Sequence, residues 1–190
     1  MSEASLTKKA LVQALKELGR TRNFEKITVT DITTHCGLNR QTFYYHFVDK
    51  YEILNWVYSN ETFSPLTNGI NLNNWHERLQ AMLEIMWADK HFYMNTIRSQ
   101  EEIFQQTLYN VTRKIFRANI AQLDTEELLA ESNREFHASF LAHGICGVIL
   151  DWIKSDMKLS PTELAGKLAD LELNVKRIAL KHCYPESSDC

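Results

Sequence analysis

A chain of 190 residues is long enough to bury a core and to hold one or two domains, and its 44% apolar and 24% charged residues are ordinary for a globular protein. Six Gly and three Pro leave helices almost uninterrupted, no run of eighteen apolar residues suggests a membrane span, and the charged first residues do not read as a secretory signal. Charge is uneven: residues 1–50 hold eight Lys/Arg against five Asp/Glu, and the rest hold thirteen against nineteen, so a polyanion is attracted to the first part and repelled by the second.

The periodicity is helical throughout, so an all-α fold is expected. A first helix over residues 5–19 sets Leu6, Ala10, Leu11, Ala14, Leu15 and Leu18 on one face, with Gly19 as its C-terminal cap. Phe24 and Ile27 anchor the next turn. Thr28 caps a short helix that ends near His35, with Asp31 completing a capping box. Cys36-Gly37-Leu38 is a tight turn, and Asn39 caps a second short helix running from Arg40 to about Phe47. Asp49 and Glu52 open a longer helix carrying Tyr51, Ile53, Leu54, Trp56 and Val57. Residues 64–74 are rich in turn formers and read as a loop, which divides the chain into residues 1–60 and 61–190.

Beyond the loop, Asn74 and Glu77 start a helix with Trp75, Leu79, Met82 and Met86 on one side. A short helix near residues 91–98 follows, then a longer one carrying Phe104, Leu108, Val111, Ile115 and Ala118. Asp124 or Thr125 opens a stretch free of proline until Pro161, read as one long helix. The last helix starts on Ser160, Pro161 and Glu163, and its Leu164, Leu168, Leu171, Val175, Ile178 and His182 repeat as a heptad seam. The polar tail 184–190 is expected to fray.

Two short helices joined at Gly37, the second opening on polar residues, form the pattern of a helix-turn-helix whose second helix enters the major groove. Phe43 and Phe47, four apart, turn inward and leave Arg40, Gln41, Thr42, Tyr44, Tyr45 and His46 on other faces. The run Ile27-Thr28-Val29-Thr30-Asp31-Ile32, then Cys36 to Phe47, then Lys50, closely resembles the N-terminal domain of TetR-family repressors. The resemblance covers about residues 5 to 58. It implies that Thr28, Thr42, Tyr44 and Lys50 bind phosphates, and that Thr30, Arg40, Gln41 and Tyr45 lie where base edges are read, with His46 near the backbone or packing against the next helix. Gln41 departs from the small residue or proline common at its position and is expected to add a contact.

The resemblance also implies a homodimer through the last two long helices, a palindromic double-stranded operator and a repressor released by an effector. The small residues Ala138, Ala142, Gly144, Cys146 and Gly147 suit close helix approach. The aromatic and Met residues of the middle helices are mostly core by composition, and Trp56, Met82, Met86, Phe104, Phe140 and His143 are the candidates for an effector pocket. His143 and Cys146, i and i+3 on one helix, lack an evident third ligand, so no metal and no cofactor are expected. Arg40 to Tyr44 with Glu52, Leu54, Trp56 and Asn60 is similar to the branch containing the dihydroxyacetone-kinase operon activators, which implies as an alternative an activator governed by a protein coactivator. No phosphate loop, nucleophile elbow or H-E-x-x-H occurs, so an enzyme is not expected. Cys36, Cys146, Cys183 and Cys190 lack C-x-x-C spacing and read as free thiols of a cytoplasmic protein with no membrane partner.

Overall fold

The computed structural model describes residues 3–71 and 73–183, and every regular element among them is helical. α1 (Glu3–Thr21), α2 (Val29–His35), α3 (Arg40–His46) and α4 (Lys50–Val57) come first. α5 (Ser64–Thr67), α6 (Trp75–Ala88), α7 (Lys90–Ser99), α8 (Glu101–Leu123), α9 (Glu131–Lys154) and α10 (Pro161–Cys183) follow. The expected caps set several of these starts. Thr28 and Asp31 form a complete capping box at α2, and Ser160 and Glu163 form one at α10. Asn39 accepts from the Thr42 amide at α3, and Asp49 accepts from the Tyr51 and Glu52 amides at α4. Glu52 in turn accepts from the Val48 amide.

Elsewhere the chain departs from its local pattern. α1 runs on to Thr21, so Gly19 lies inside the helix and does not cap it. Its missing side chain serves packing, because a Cβ there would stand 2.8 Å from Cδ2 of Phe92 on α7. Leu6 is exposed, whereas Leu11, Val12, Ala14, Leu15 and Leu18 are buried. Residues 64–74 are not all loop: Pro65 supports the short α5 before the chain turns at Gly69, where φ is +74°. Asn74 does not cap α6; its side chain closes that turn, accepting from the Asn71 amide and donating to the Gly69 carbonyl.

The long helix expected from Asp124 is interrupted. The Asp124 carboxylate accepts from the amides of Leu128 and Leu129 and pairs with Arg134 at 2.9 Å, which fixes a turn and delays α9 to Glu131. A short acidic side chain offers the backbone an alternative to the helical ladder, and here that alternative wins. At its far end α9 gives way to a turn in which Asp156 and Met157 take φ of 61° and 47°. That turn is held by the Trp152 indole N–H donating to the Leu159 carbonyl at 2.8 Å.

One contiguous apolar cluster runs from Leu11 of α1 to Leu168 of α10. α8 packs on α9, α10 on α6, and α1 crosses to α7. Tyr58, Phe63, Tyr93 and Phe104 fill the middle, fully buried, with successive ring centroids 5.2–6.5 Å apart. The buried hydroxyls are satisfied: Tyr58 donates to Thr96 at 2.9 Å, and Thr62 and Tyr93 are 2.8 Å apart. Burial raises both tyrosines well above the usual phenol range. Tyr58 and Thr62 bound a single π-helical turn that carries the chain out of α4.

α9 is long and apolar enough to cross a bilayer by length and composition alone, yet only 39% of that stretch is buried within the chain. It is apolar on two sides. One side packs on α8; on the other, Phe136 and Phe140 are 68% and 70% exposed, and a Cβ on Gly144 or Gly147 would meet nothing within 4 Å. Of the seam on α10, Leu164 and Leu168 are buried and Leu171 is exposed. The side chains of Val175, Ile178 and His182 and the tail 184–190 lie outside the described residues.

Candidate nucleic-acid interface

The turn between α2 and α3 is a Schellman motif. The Leu38 amide donates to the Thr33 carbonyl at 2.9 Å and the Gly37 amide to Thr34 at 3.2 Å, with Gly37 at φ +70°. A side chain at Gly37 would be strained in this left-handed conformation, so the angle between the two helices depends on that glycine. From the turn, Asn39 starts α3, and Phe43 and Phe47 lock it into the core with no more than 2% exposure.

The opposite side of α3 is open. Arg40 and Gln41 are exposed, Tyr44 is 50% and Tyr45 80% exposed, and Thr28 and Thr30 at the start of α2 are exposed as well. The two tyrosines are this bare on a helix whose other side is fully packed. The Arg40 guanidinium donates to the Tyr44 hydroxyl oxygen at 3.2 Å and sits 5.8 Å from its ring centroid. Because that oxygen accepts from Arg40, the Tyr44 hydroxyl hydrogen is left to donate outward. His46 is half-buried, edge-on to Tyr45 at 5.1 Å.

Besides Arg40 and Tyr44, which bond to each other, three of the nine expected contact residues already have partners. The Thr28 hydroxyl donates to Asp31, whose carboxyl is held below its usual range by that bond and by the Thr28 backbone N–H. The Thr42 hydroxyl donates to Asn39 at 3.0 Å. Lys50 gives two of its three N–H groups to the carbonyls of Phe24 and Glu25, at 3.1 and 2.9 Å, and its ammonium lies 4.8 Å from the Phe24 ring centroid. It clamps the start of α4 to the turn ahead of α2.

The structure also brings in residues from α1 that sequence spacing did not suggest. Ala4 and Thr7 border a shallow groove of about 390 Å³ together with Asn39, Gln41, Thr42, Tyr45 and His46. Lys8 places its ammonium 4.9 Å from the Phe47 ring centroid and 4.8 Å from that of Trp56. No local signal points to them, because their position depends on how α1 packs against α2 and α4.

The six residues expected to line an effector pocket do not converge. Met82, Met86 and Phe104 are fully buried core, and Trp56 packs edge-on to Phe47 at 6.5 Å. Phe140 instead borders an open apolar groove of about 670 Å³ with Leu123, Leu128 and Phe136. His143 lines a separate polar cleft between α4, α8 and α9. Cys146 next to it is buried, which pushes its thiol up to about 11, and among the described residues no group of three or more His, Cys, Asp or Glu is placed to hold a metal ion.

Two family models match the chain. That of the bacterial regulatory proteins of the tetR family covers residues 8–57, and that of a TetR-type transcriptional regulator C-terminal region covers residues 73–172. The HTH-type dhaKLM operon transcriptional activator DhaS of Lactococcus lactis subsp. lactis (strain IL1403) is 27% identical over 93 residues, 49% of this chain and 50% of that protein. The match therefore spans about half the length of this curated relative. Among solved structures, a dihydroxyacetone kinase operon activator DhaS superposes with a TM-score of 0.70 at 22% identity, covering 90% of this chain and 97% of that one. A transcriptional regulator from Aquifex aeolicus VF5 superposes with a TM-score of 0.59 at 18% identity, covering 88% and 98%. At these identities the two structures share the fold.

Proposed function

The chain belongs to the TetR family of bacterial transcriptional regulators, a family of DNA-binding proteins and not of enzymes, and from this we propose that it acts in the cytoplasm as a homodimer on a palindromic operator and represses until an effector releases it. Residues 1–60 are the DNA-binding unit and residues 61–190 the sensing and dimerising unit. The observation that carries this reading is the exposed row Arg40, Gln41, Tyr44 and Tyr45 on a helix anchored from behind by Phe43 and Phe47.

In this reading Arg40, Gln41, Thr30 and Tyr45 meet base edges. Arg40 has the geometry for a two-pronged contact to guanine, worth about 1–3 kcal/mol of discrimination. Tyr44 donates to a phosphate with the hydrogen that Arg40 leaves to it. Thr28 and Thr42 meet phosphates by turning their hydroxyls away from Asp31 and Asn39, and Lys50 uses its remaining N–H. His46 stands at the edge of this surface. A second reading, activation under a protein coactivator, is favoured by the likeness to DhaS, which is described as an operon activator. A reporter fused to the bound promoter separates the two, since deleting the gene raises expression under repression and lowers it under activation.

Fluorescence anisotropy with DNA from the region upstream of the gene tests the interface. Arg40→Ala is expected to weaken specific binding by about 5–150-fold while changing binding to unrelated DNA little. Both affinities should fall steeply as salt rises. An equal loss on all sequences refutes base reading by Arg40.

A further inference from the structure

A cleft of about 1150 Å³ opens where α4, at the DNA-binding end, lies against α8 and α9. Small-molecule sites run to roughly 300–1,000 Å³, so this cleft has room for a ligand of sugar size. It presents the amides of Asn55, Gln106 and Asn110, the Thr107 hydroxyl, and a ring pair, Tyr109 and His143, with centroids 4.6 Å apart.

Charge in the cleft is net acidic, with the carboxylates of Asp49, Glu52 and Glu102 against the single ammonium of Lys114. Asp49 and Glu52 already accept from amides around the start of α4, and neither Glu102 nor Lys114 is in an ion pair among the described residues. A phosphate or carboxylate finds no arginine and a single lysine there, whereas a neutral ligand brings no charge to desolvate.

The uncharged groups alternate donors and acceptors. Gln106 donates to Asn110 Oδ1 at 3.1 Å, which leaves the Gln106 oxygen to accept and the Asn110 NH₂ to donate. His143 Nδ1 lies 2.8 Å from the Ser139 carbonyl and so carries a hydrogen, which leaves Nε2 as the ring atom available to a ligand. Hydroxyl groups, each both donor and acceptor, match such a set, and a sugar ring sets a C–H face against an aromatic such as Tyr109. One contact crosses the cleft: the Asn55 side-chain amide lies 2.9 Å from Thr107 Oγ1, tying α4 to α8 at an exposed position. The Thr107 hydroxyl spends its hydrogen on the Ile103 carbonyl at 2.6 Å, so the donor across the cleft is the Asn55 NH₂. A ligand hydroxyl that takes over the Asn55 amide unties the two helices and unfolds neither.

The geometry points to a neutral polyhydroxylated ligand of sugar size bound between α4 and α8, with Asn55 as the residue through which occupancy reaches the DNA-binding helices. This rests on reading the chain as an effector-controlled regulator, but its test requires no DNA. Thermal unfolding of the full chain is followed with glucose, maltose and sorbitol, and with glucose 6-phosphate and gluconate as charged counterparts. At least one neutral compound, at about a hundred times its Kd, is expected to raise the Tm by roughly 5–10 °C while the charged ones do not. Asn110→Ala and, independently, Gln106→Ala, both at exposed positions, should cut that shift by more than half at the same concentration. No shift with any neutral compound, an equal shift with the anions, or a full shift in both variants overturns the assignment. Failure of the sugar-free protein to bind operator DNA overturns the regulator reading and leaves these shifts as they stand.

Discussion

Lys50 has two roles that one substitution separates. Its position in the motif implies a phosphate contact, while its ammonium donates to the Phe24 and Glu25 carbonyls and braces the turn ahead of α2. Hydrogen bonds from a charged donor contribute about 1.5–3 kcal/mol to stability, less where water competes. Lys50→Met is therefore expected to destabilise the DNA-free protein by about 1–2 kcal/mol in denaturant titrations, and to weaken DNA binding as well. Unchanged stability with only a shallower salt dependence would assign Lys50 to phosphate alone. Residue types and the four-residue spacing of Phe43 and Phe47 were sufficient to show which side of α3 faces out. They could not show where a hydroxyl hydrogen points. The caps Asp31 and Asn39 are legible, but that the Thr28 and Thr42 hydroxyls donate to them, and that Lys50 donates to the carbonyls after Asn23, is seen only in the folded backbone.

Among elements, those set by neighbours in sequence were legible and those set by distant contacts were not. The starts of α2, α3, α4 and α10 follow from side chains within three residues of each cap. Gly19 is the contrary case. As a residue near the end of an apolar face it reads as a cap, yet the helix continues because Phe92 of α7 needs the space, and Asn95 donates to the Gly19 carbonyl at 2.9 Å. Arg20 adds a two-pronged pair to Asp89 at 2.7 and 2.9 Å, so α1 is fastened to the ends of α6 and α7. Gly19→Ala tests this packing. In an exposed helix it stabilises by about 0.5–1 kcal/mol, whereas forcing an aromatic ring aside costs about 1–3 kcal/mol. The expected net is a loss of about 1 kcal/mol or more in urea titrations, with circular dichroism confirming unchanged helix content. A gain in stability would mean that Phe92 moves aside freely.

At the scale of the whole molecule, the outer face of α9 is the feature that a single chain leaves unfinished. Phe136 and Phe140 stand exposed beside the open faces of Gly144 and Gly147, with Val148 exposed further along the same helix. Scattered exposed apolar residues are ordinary on a monomer, but a continuous apolar stripe along a long helix marks an interface. A palindromic operator requires two copies of α3 at the spacing of successive major grooves, about 34–36 Å, and a second copy packed across a two-fold axis is the arrangement that repeats one surface in this way. In a two-fold interface each residue appears twice, so a charge placed at Phe140 is buried in both copies. Phe140→Glu is therefore expected to raise the dimer dissociation constant at least 100-fold, moving the sedimenting species from twice 22.2 kDa toward the single chain. The side chain makes few contacts within its own chain, so helix content should be unchanged. Binding to a full operator should fall far more than binding to a half-site. A Phe140→Glu protein that still sediments as a dimer at micromolar concentration, with operator affinity intact, would place the two-fold axis on another face.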